Sequence, residues 1–562
     1  MNLNRRQLLK SAAASLFVPA PAFAVSRLDA AYVNGRIWTG VPGAAMQTAI
    51  GVAGMRVGAV GEESVRAMSA RRSGRAVRVI DLRGAFVAPG FVDAHTHFLL
   101  ATAALVPPDL RRTRTREEFA SRVANAARQL PPGEWIRGGD WDQELWGGEF
   151  PTRQWIDPVT PRTPVALPRI DQHSLLLNSL ALRLAGIDRH TPDPSGGRIV
   201  RDAAGEPTGI LIDRAKALVQ RVIPPLSDAA KENMIRAGIR HGLSNGVTQT
   251  HSMGLDWDTH DALLRLRAKG DMDMRFLSYV PLSDWERIAE TVRREGTGDD
   301  WLRWGGVKGF ADGSLGSRTA LLHQPYDDAP TMHGIRVTTR EQLREWVGHA
   351  DRNKLQVAIH AIGDEANDDV LDIYEETASA NGARDRRFRV EHAQHLTPAA
   401  IPRFGRQQVI ASMQPYHAID DGRWAIQRLG AQRLKTSYAW RSLLDSGARL
   451  CFGSDWPVAP FAPLSGIAAA VLRQTLDGAN PQGWIPEQRI TAEQALIAYT
   501  VNNAYAGFQE DRLGRLSPGY LADFVVLDRD PLHIDPQMLS EVRVLRTVVA
   551  GRERFTGPGE GQ

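Results

Sequence analysis

Two imidazoles two residues apart open the chemistry of this chain. Asp93-Ala94-His95-Thr96-His97 follows an apolar run with a Pro89-Gly90 turn. On a strand, residues i and i+2 face the same side. His95 and His97 therefore point together, and two neutral imidazoles so placed can grip one divalent ion. Lys308 lies inside the apolar run Val307 to Ala311, where an unpaired ammonium is costly. Two reasons for it stay open: reaction with CO2 to a carbamate that bridges two metals, or pairing with a carboxylate such as Asp312. His360 ends the run Val357-Ala358-Ile359, and His392 ends Arg389-Val390-Glu391. Asp455 follows Leu450 to Ser454. An Asp there can bind metal, take a proton from attacking water and pass it to a leaving group.

Eight apolar runs carry or flank these residues: 85–97, 246–251, 274–280, 305–312, 355–361, 388–392, 409–414 and 450–455. Most are separated by segments of helical pattern, such as 341–351 and 364–380. Strand and helix in alternation, eight times, predict a TIM-type (β/α)8 barrel over 85–505 with its chemistry at the C-terminal strand ends. The long gap after the first strand predicts an inserted subdomain over about 110–230, rich in Trp and Pro, that acts as lid or substrate wall. Short strand-like runs at 25–84 and 506–556 predict one flanking β-sandwich built from both chain ends.

The bulk numbers exclude other classes. With 562 residues, the chain is long enough for a large barrel and an accessory domain. Its formal net charge is +4, with three cations (Arg5, Arg6, Lys10) near the N-terminus. No Lys/Arg stripe with interleaved aromatics marks a nucleic-acid partner. The run Arg71-Arg72-Ser73-Gly74-Arg75 reads as a solvated loop. Residues 1–24 resemble a twin-arginine export signal: Arg5-Arg6, a short apolar stretch, then Ala22-Phe23-Ala24. The expected location is periplasmic or secreted, with the twin-arginine machinery as a partner. The single cysteine, Cys451, forbids an intrachain disulfide and suits export in the folded state. No stretch is long and apolar enough for a membrane span.

The residue set resembles the amidohydrolase superfamily, and most of all its amidohydrolase family 3 branch, which includes N-substituted formamide deformylases. The resemblance takes in the segment Asp312-Gly313-Ser314-Leu315-Gly316-Ser317-Arg318-Thr319-Ala320 and the C-terminal phrase Leu516 to Leu527. It implies His95, His97, His360 and His392 as metal ligands, Lys308 as a carboxylated bridging ligand, and Asp455 as ligand and general base and acid. His395 is given a supporting place behind the ligands. The expected cofactor is one or two divalent ions, with Zn2+ the best match to imidazole and carboxylate. The implied reaction is hydrolysis of a non-peptide C–N bond, amide or formamide, by metal-bound hydroxide. Esters, lactones or cyclic amides on the same site are the near alternative; a catalytically silent periplasmic binding protein is the distant one. Trp141, Trp146, His173, His251 and Arg318 are the expected pocket residues for a small-molecule substrate. Homo-oligomerisation is left open by the sequence.

Overall fold

A computed structural model describes residues 27–70, 76–102, 105, 107–130 and 134–558. The expected export signal over 1–24 and the basic run 71–75 lie outside the described residues.

Eight parallel strands form the central sheet: β1 (Phe91–Thr96), β2 (Val247–Met253), β3 (Arg275–Pro281), β4 (Leu302–Phe310), β5 (Val357–Ala361), β6 (Arg389–His392), β7 (Ile410–Met413) and β8 (Arg449–Phe452). Each pairs with the next along the chain. This is the expected (β/α)8 barrel. Its strands are short apolar runs buried on both faces, as parallel strands covered by helices must be. The seam between β8 and β1 closes beyond the strand ends. His97 N donates to Trp456 O at 2.8 Å, and Asp455 N to His95 O at 2.7 Å. Lower down, the Asn503 amide spans the seam by donating to both Val92 O and Phe452 O.

The apolar run 85–97, which reads as one strand, is two. Phe86–Pro89 pairs with Phe524–Leu527 in the flanking domain, and the barrel strand starts at Phe91. Gly90 is the pivot, since a Cβ there would lie 2.3 Å from Thr248 Cγ2. Two sheets make the sandwich, one from the N-terminal end alone and one from both chain ends. One has the order Arg56–Val60, Ile50–Ala53, Ala30–Val33, Arg78–Asp81. The other has the order Arg36–Ile37, Phe86–Pro89, Phe524–Leu527, Val544–Val549, Arg552–Thr556. Tyr32, Val52, Val87, Phe524 and Val548 meet in their shared core.

Between β1 and β2 the chain builds an antiparallel sheet, Gly197–Arg201, Pro207–Asp213, Ser174–Leu177 and Ala166–Pro168. Packed with helix Arg116–Gln129, this subdomain has its own apolar core around Phe119, Trp141 and Leu167. Among the described residues, no helix is long and apolar enough to cross a membrane.

Candidate metal centre

The strand ends deliver the expected residues to one place. His95, His392 and Asp455 offer ligand atoms that all lie within 4.8 Å of one another. His97 Nε2 stands 3.2 Å from Asp455 Oδ1, and His95 Nε2 stands 3.4 Å from it. The His360 ring lies 4.4 Å from that of His392. Lys308 Nζ is 3.4 Å from His95 Nε2. Two of these residues adopt positive φ, His392 at 76° and Asp455 at 59°. Backbone so placed is costly for a side-chain-bearing residue and tends to occur at functional sites.

Hydrogen bonds set which ring nitrogen each histidine presents. His95 Nδ1 is 2.6 Å from Glu391 Oε2, which keeps the proton on Nδ1 and frees Nε2. His392 Nδ1 donates to Gln414 Oε1 at 2.8 Å, which likewise frees Nε2. His360 Nε2 donates to Gly313 O at 3.0 Å and leaves Nδ1. Glu391 is itself gripped by Arg389 at 2.7 Å. Arg389, fully buried, also donates to Ala94 O, Ser412 Oγ and Tyr279 Oη.

Burial sets the protonation states. It pushes His95 well below the ordinary imidazole value, helped by the charge on Lys308. Burial and Lys308 lower His360 to about 3, and burial with the neighbouring imidazoles lowers His392 well below its usual range. Burial opposes ionisation of Asp455, yet His95 and His97 hold its carboxyl below the carboxylate range. Burial brings Lys308 down to about 8. The result is neutral imidazoles at His95, His360 and His392 beside an ionised carboxylate, the donor chemistry a divalent cation needs. The residues present fit such an ion.

Asp312 is not the carboxylate that faces Lys308; Glu391 and Asp455 are the ones whose charge acts on it. Asp312 instead accepts the backbone N–H groups of Leu321, Ile362 and Gly363, and so ties the loop after β4 to the end of β5. Burial moves Lys308 part of the way towards its neutral amine.

Two spaces open on the cluster and share Asp171, His173, His360, His392, Asp455 and Val458. One is a polar recess of about 100 Å3 that reaches Arg169, Gln394, His417, Asp420 and Arg423. The other is a cavity of about 610 Å3 whose outer wall carries four exposed apolar side chains, Leu100, Phe310, Ile335 and Val337. Of the expected pocket residues, only His173 faces these spaces, where it pairs with Asp213 at 2.8 Å. Trp141 is fully buried with its Nε1–H on Leu167 O, and Trp146 packs on Phe119 and Trp155. Both serve the core of the inserted subdomain. Arg318 pairs with Asp328 and lines a neighbouring cleft that meets the recess at Glu144, Arg169 and Gly316 but contains none of the cluster residues. His251 lies inside the barrel, beside Arg389 and Tyr279. His395 bonds Ser437 and packs on Tyr438, away from the ligands.

Sequence reasoning missed His417. It follows β7 in Gln414-Pro415-Tyr416-His417, at a C-terminal strand end like the others. That position was the available signal.

The comparisons with known proteins agree with this geometry. A family model described as "Amidohydrolase family" matches residues 78–555. The chain belongs to the amidohydrolase family. This amidohydrolase is 42% identical over 489 residues to Protein LONG AFTER FAR-RED 3 of Arabidopsis thaliana, covering 85% of this chain and 83% of the relative. It is 31% identical over 531 residues to the N-substituted formamide deformylase of Arthrobacter pascens, covering 91% and 95%. Its fold matches the crystal structure of an uncharacterised metal-dependent hydrolase from Pyrococcus furiosus with a TM-score of 0.72 and 31% identity, over 89% and 99% of the two chains.

Proposed function

We propose that this amidohydrolase is a metal-dependent enzyme that hydrolyses the C–N bond of N-substituted formamides or similarly small amides. The observation that carries the reading is Asp455. Its carboxylate touches His95 and His97 and lines both the polar recess and the apolar cavity, so it meets whatever lies across the cluster. The similarity to the formamide deformylase over 91% of this chain supports the choice of bond.

His95, His97, His360 and His392, with Asp455 and a carboxylated Lys308, would hold one or two ions, with Zn2+ the best match. When bound, such an ion polarises a carbonyl and lowers the pKa of water. The chain's own residues do the rest. Asp455 accepts a proton as water adds to the carbonyl carbon, and returns it to the departing nitrogen as the C–N bond breaks. The products are a carboxylic acid, formic acid for a formamide, and the free amine. The apolar wall of Leu100, Phe310, Ile335 and Val337 suits an apolar substituent. We place export in the same reading. Mature protein recovered from the periplasm should begin at Val25, as N-terminal sequencing would show.

The test is release of formate from N-benzylformamide by the metal-loaded protein. Asp455→Asn should cut turnover at least 100-fold while metal content by elemental mass spectrometry stays near that of the unaltered protein. Turnover retained in Asp455→Asn would remove Asp455 from the role.

A further inference from the structure

His417 has no part in the ligand set, and its surroundings define what it can do. It lies in the first turn of the helix Pro415–Asp421, just past the end of β7. Its ring lies nearly parallel to that of His392, 6.2 Å away. Only 7% of the residue is exposed. It lines the polar recess, with Nε2 3.9 Å from Asp455 Oδ2.

The two ring nitrogens differ. The Gln394 side-chain amide N–H donates to His417 Nδ1 at 3.3 Å. That bond makes Nδ1 the acceptor and leaves the ring proton on Nε2. Among the described residues, Nε2 has no hydrogen-bond partner. A buried N–H without a partner costs free energy, so its persistence calls for an acceptor supplied from the cavity. The groups facing it are Asp455 and, further off, Asp420, which pairs with Arg423. Neither reaches Nε2.

We propose that His417 Nε2–H is the hydrogen-bond donor for the carbonyl oxygen of the substrate, and for the negative charge that grows on that oxygen. The inference rests on the hydrolytic reading above. As water adds to the carbonyl carbon, the C=O π pair moves onto oxygen and Asp455 holds the proton from the water. His417 donates a hydrogen bond but no proton. When the carbonyl re-forms, the pair returns, the C–N bond breaks and the nitrogen leaves with the proton from Asp455. A fixed donor on a buried side chain acts most strongly on the charged oxygen, so it lowers the barrier more than it tightens binding.

The experiment compares His417→Phe, which fills the space without a donor, with His417→Gln, which keeps an N–H. Each is assayed with N-benzylformamide and with p-nitrophenyl acetate, an activated ester that also passes through a tetrahedral oxyanion. Binding of methylphosphonate, a tetrahedral oxyanion, is measured on the metal-loaded proteins by calorimetry. His417→Phe should lose about 100-fold or more in kcat with KM within about threefold, the range found for one oxyanion donor. It should bind methylphosphonate at least tenfold more weakly, with unchanged metal content and Tm. His417→Gln should recover at least part of both losses. Equal phosphonate affinity in all three proteins, or a loss that tracks metal content or Tm, would overturn the role. If the formamide is not cleaved but the ester and phosphonate data show the expected pattern, the amide reading fails and the role of His417 stands.

Discussion

Glu391 shows how much of this site depends on a residue that touches no substrate. It accepts the Nδ1 proton of His95 at 2.6 Å and the Arg389 guanidinium at 2.7 Å, all three fully buried. A carboxylate behind an imidazole fixes its tautomer and raises its basicity toward metal. Glu391→Gln keeps the shape but removes the charge. Metal affinity should fall by about 10–100-fold, read by competition with a chelator. Stability should fall as well, by about 3–5 kcal/mol, because Arg389 stays buried without its counter-charge; denaturant titration reads that part. Unchanged metal affinity would show that Glu391 serves only Arg389. At this scale the ligands were legible because each combines a chemical type with a strand end. His417 obeys the same rule and was open to the same reading. The tryptophans misled for a physical reason. A subdomain of this size needs large apolar residues for its own core, and composition does not tell inward from outward. The positive φ of His392 and Asp455, which helps aim both side chains, leaves no mark in residue type.

The strands themselves could be read from apolar runs of four to nine residues bounded by turns, and their observed bounds fall within a few residues of the expected ones. The Pro89-Gly90 turn within 85–97 was visible, but not that the chain changes sheets there, because periodicity says nothing about which sheet a residue joins. The seam between β8 and β1 was equally hidden. It depends on close approach at Gly453, where a Cβ would lie 2.5 Å from His95 N and 2.8 Å from Asp93 Oδ1. Asp93 in turn accepts Ser454 N at 3.0 Å and His95 N at 3.1 Å, which locks the loop bearing Asp455 to the strand bearing His95. Gly453→Ala must push these apart. The added methyl should cost about 1–3 kcal/mol and reduce turnover at least tenfold, since catalytic geometry is lost over shifts of about 1 Å. Steady-state kinetics beside a melting curve would check it. Unaltered kinetics would mean that the seam can relax without moving the ligands.

At the scale of the whole molecule, barrel and sandwich are tied by a buried ion pair. Arg275, at the start of β3, donates from Nε to Asp523 Oδ2 at 2.6 Å and from Nη2 to Asp523 Oδ1 at 2.9 Å. Their side chains are 1% and 3% exposed. Asp523 also accepts Ala550 N at 2.8 Å, in the turn between the last two strands of the sandwich. A two-pronged pair of this kind holds an angle between two bodies as well as a distance. Its net worth is small compared with the damage of breaking it, because desolvation cancels much of the attraction. Asp523→Ala strands a guanidinium whose remaining neighbours are the Asp300 carbonyl, the Trp301 ring and the charges of Asp299 and Asp300, none of which pairs with it as Asp523 does, and should lose about 3–5 kcal/mol. Arg275→Met should cost less, since the carboxylate it leaves keeps the Ala550 N–H. The double variant, Arg275→Met with Asp523→Leu, should regain most of the Asp523→Ala loss, because it leaves neither charge buried. Thermal melts of the three variants close the cycle. A double variant no better than Asp523→Ala would mean that the pair itself, rather than the penalty for orphaning one partner, joins the two bodies.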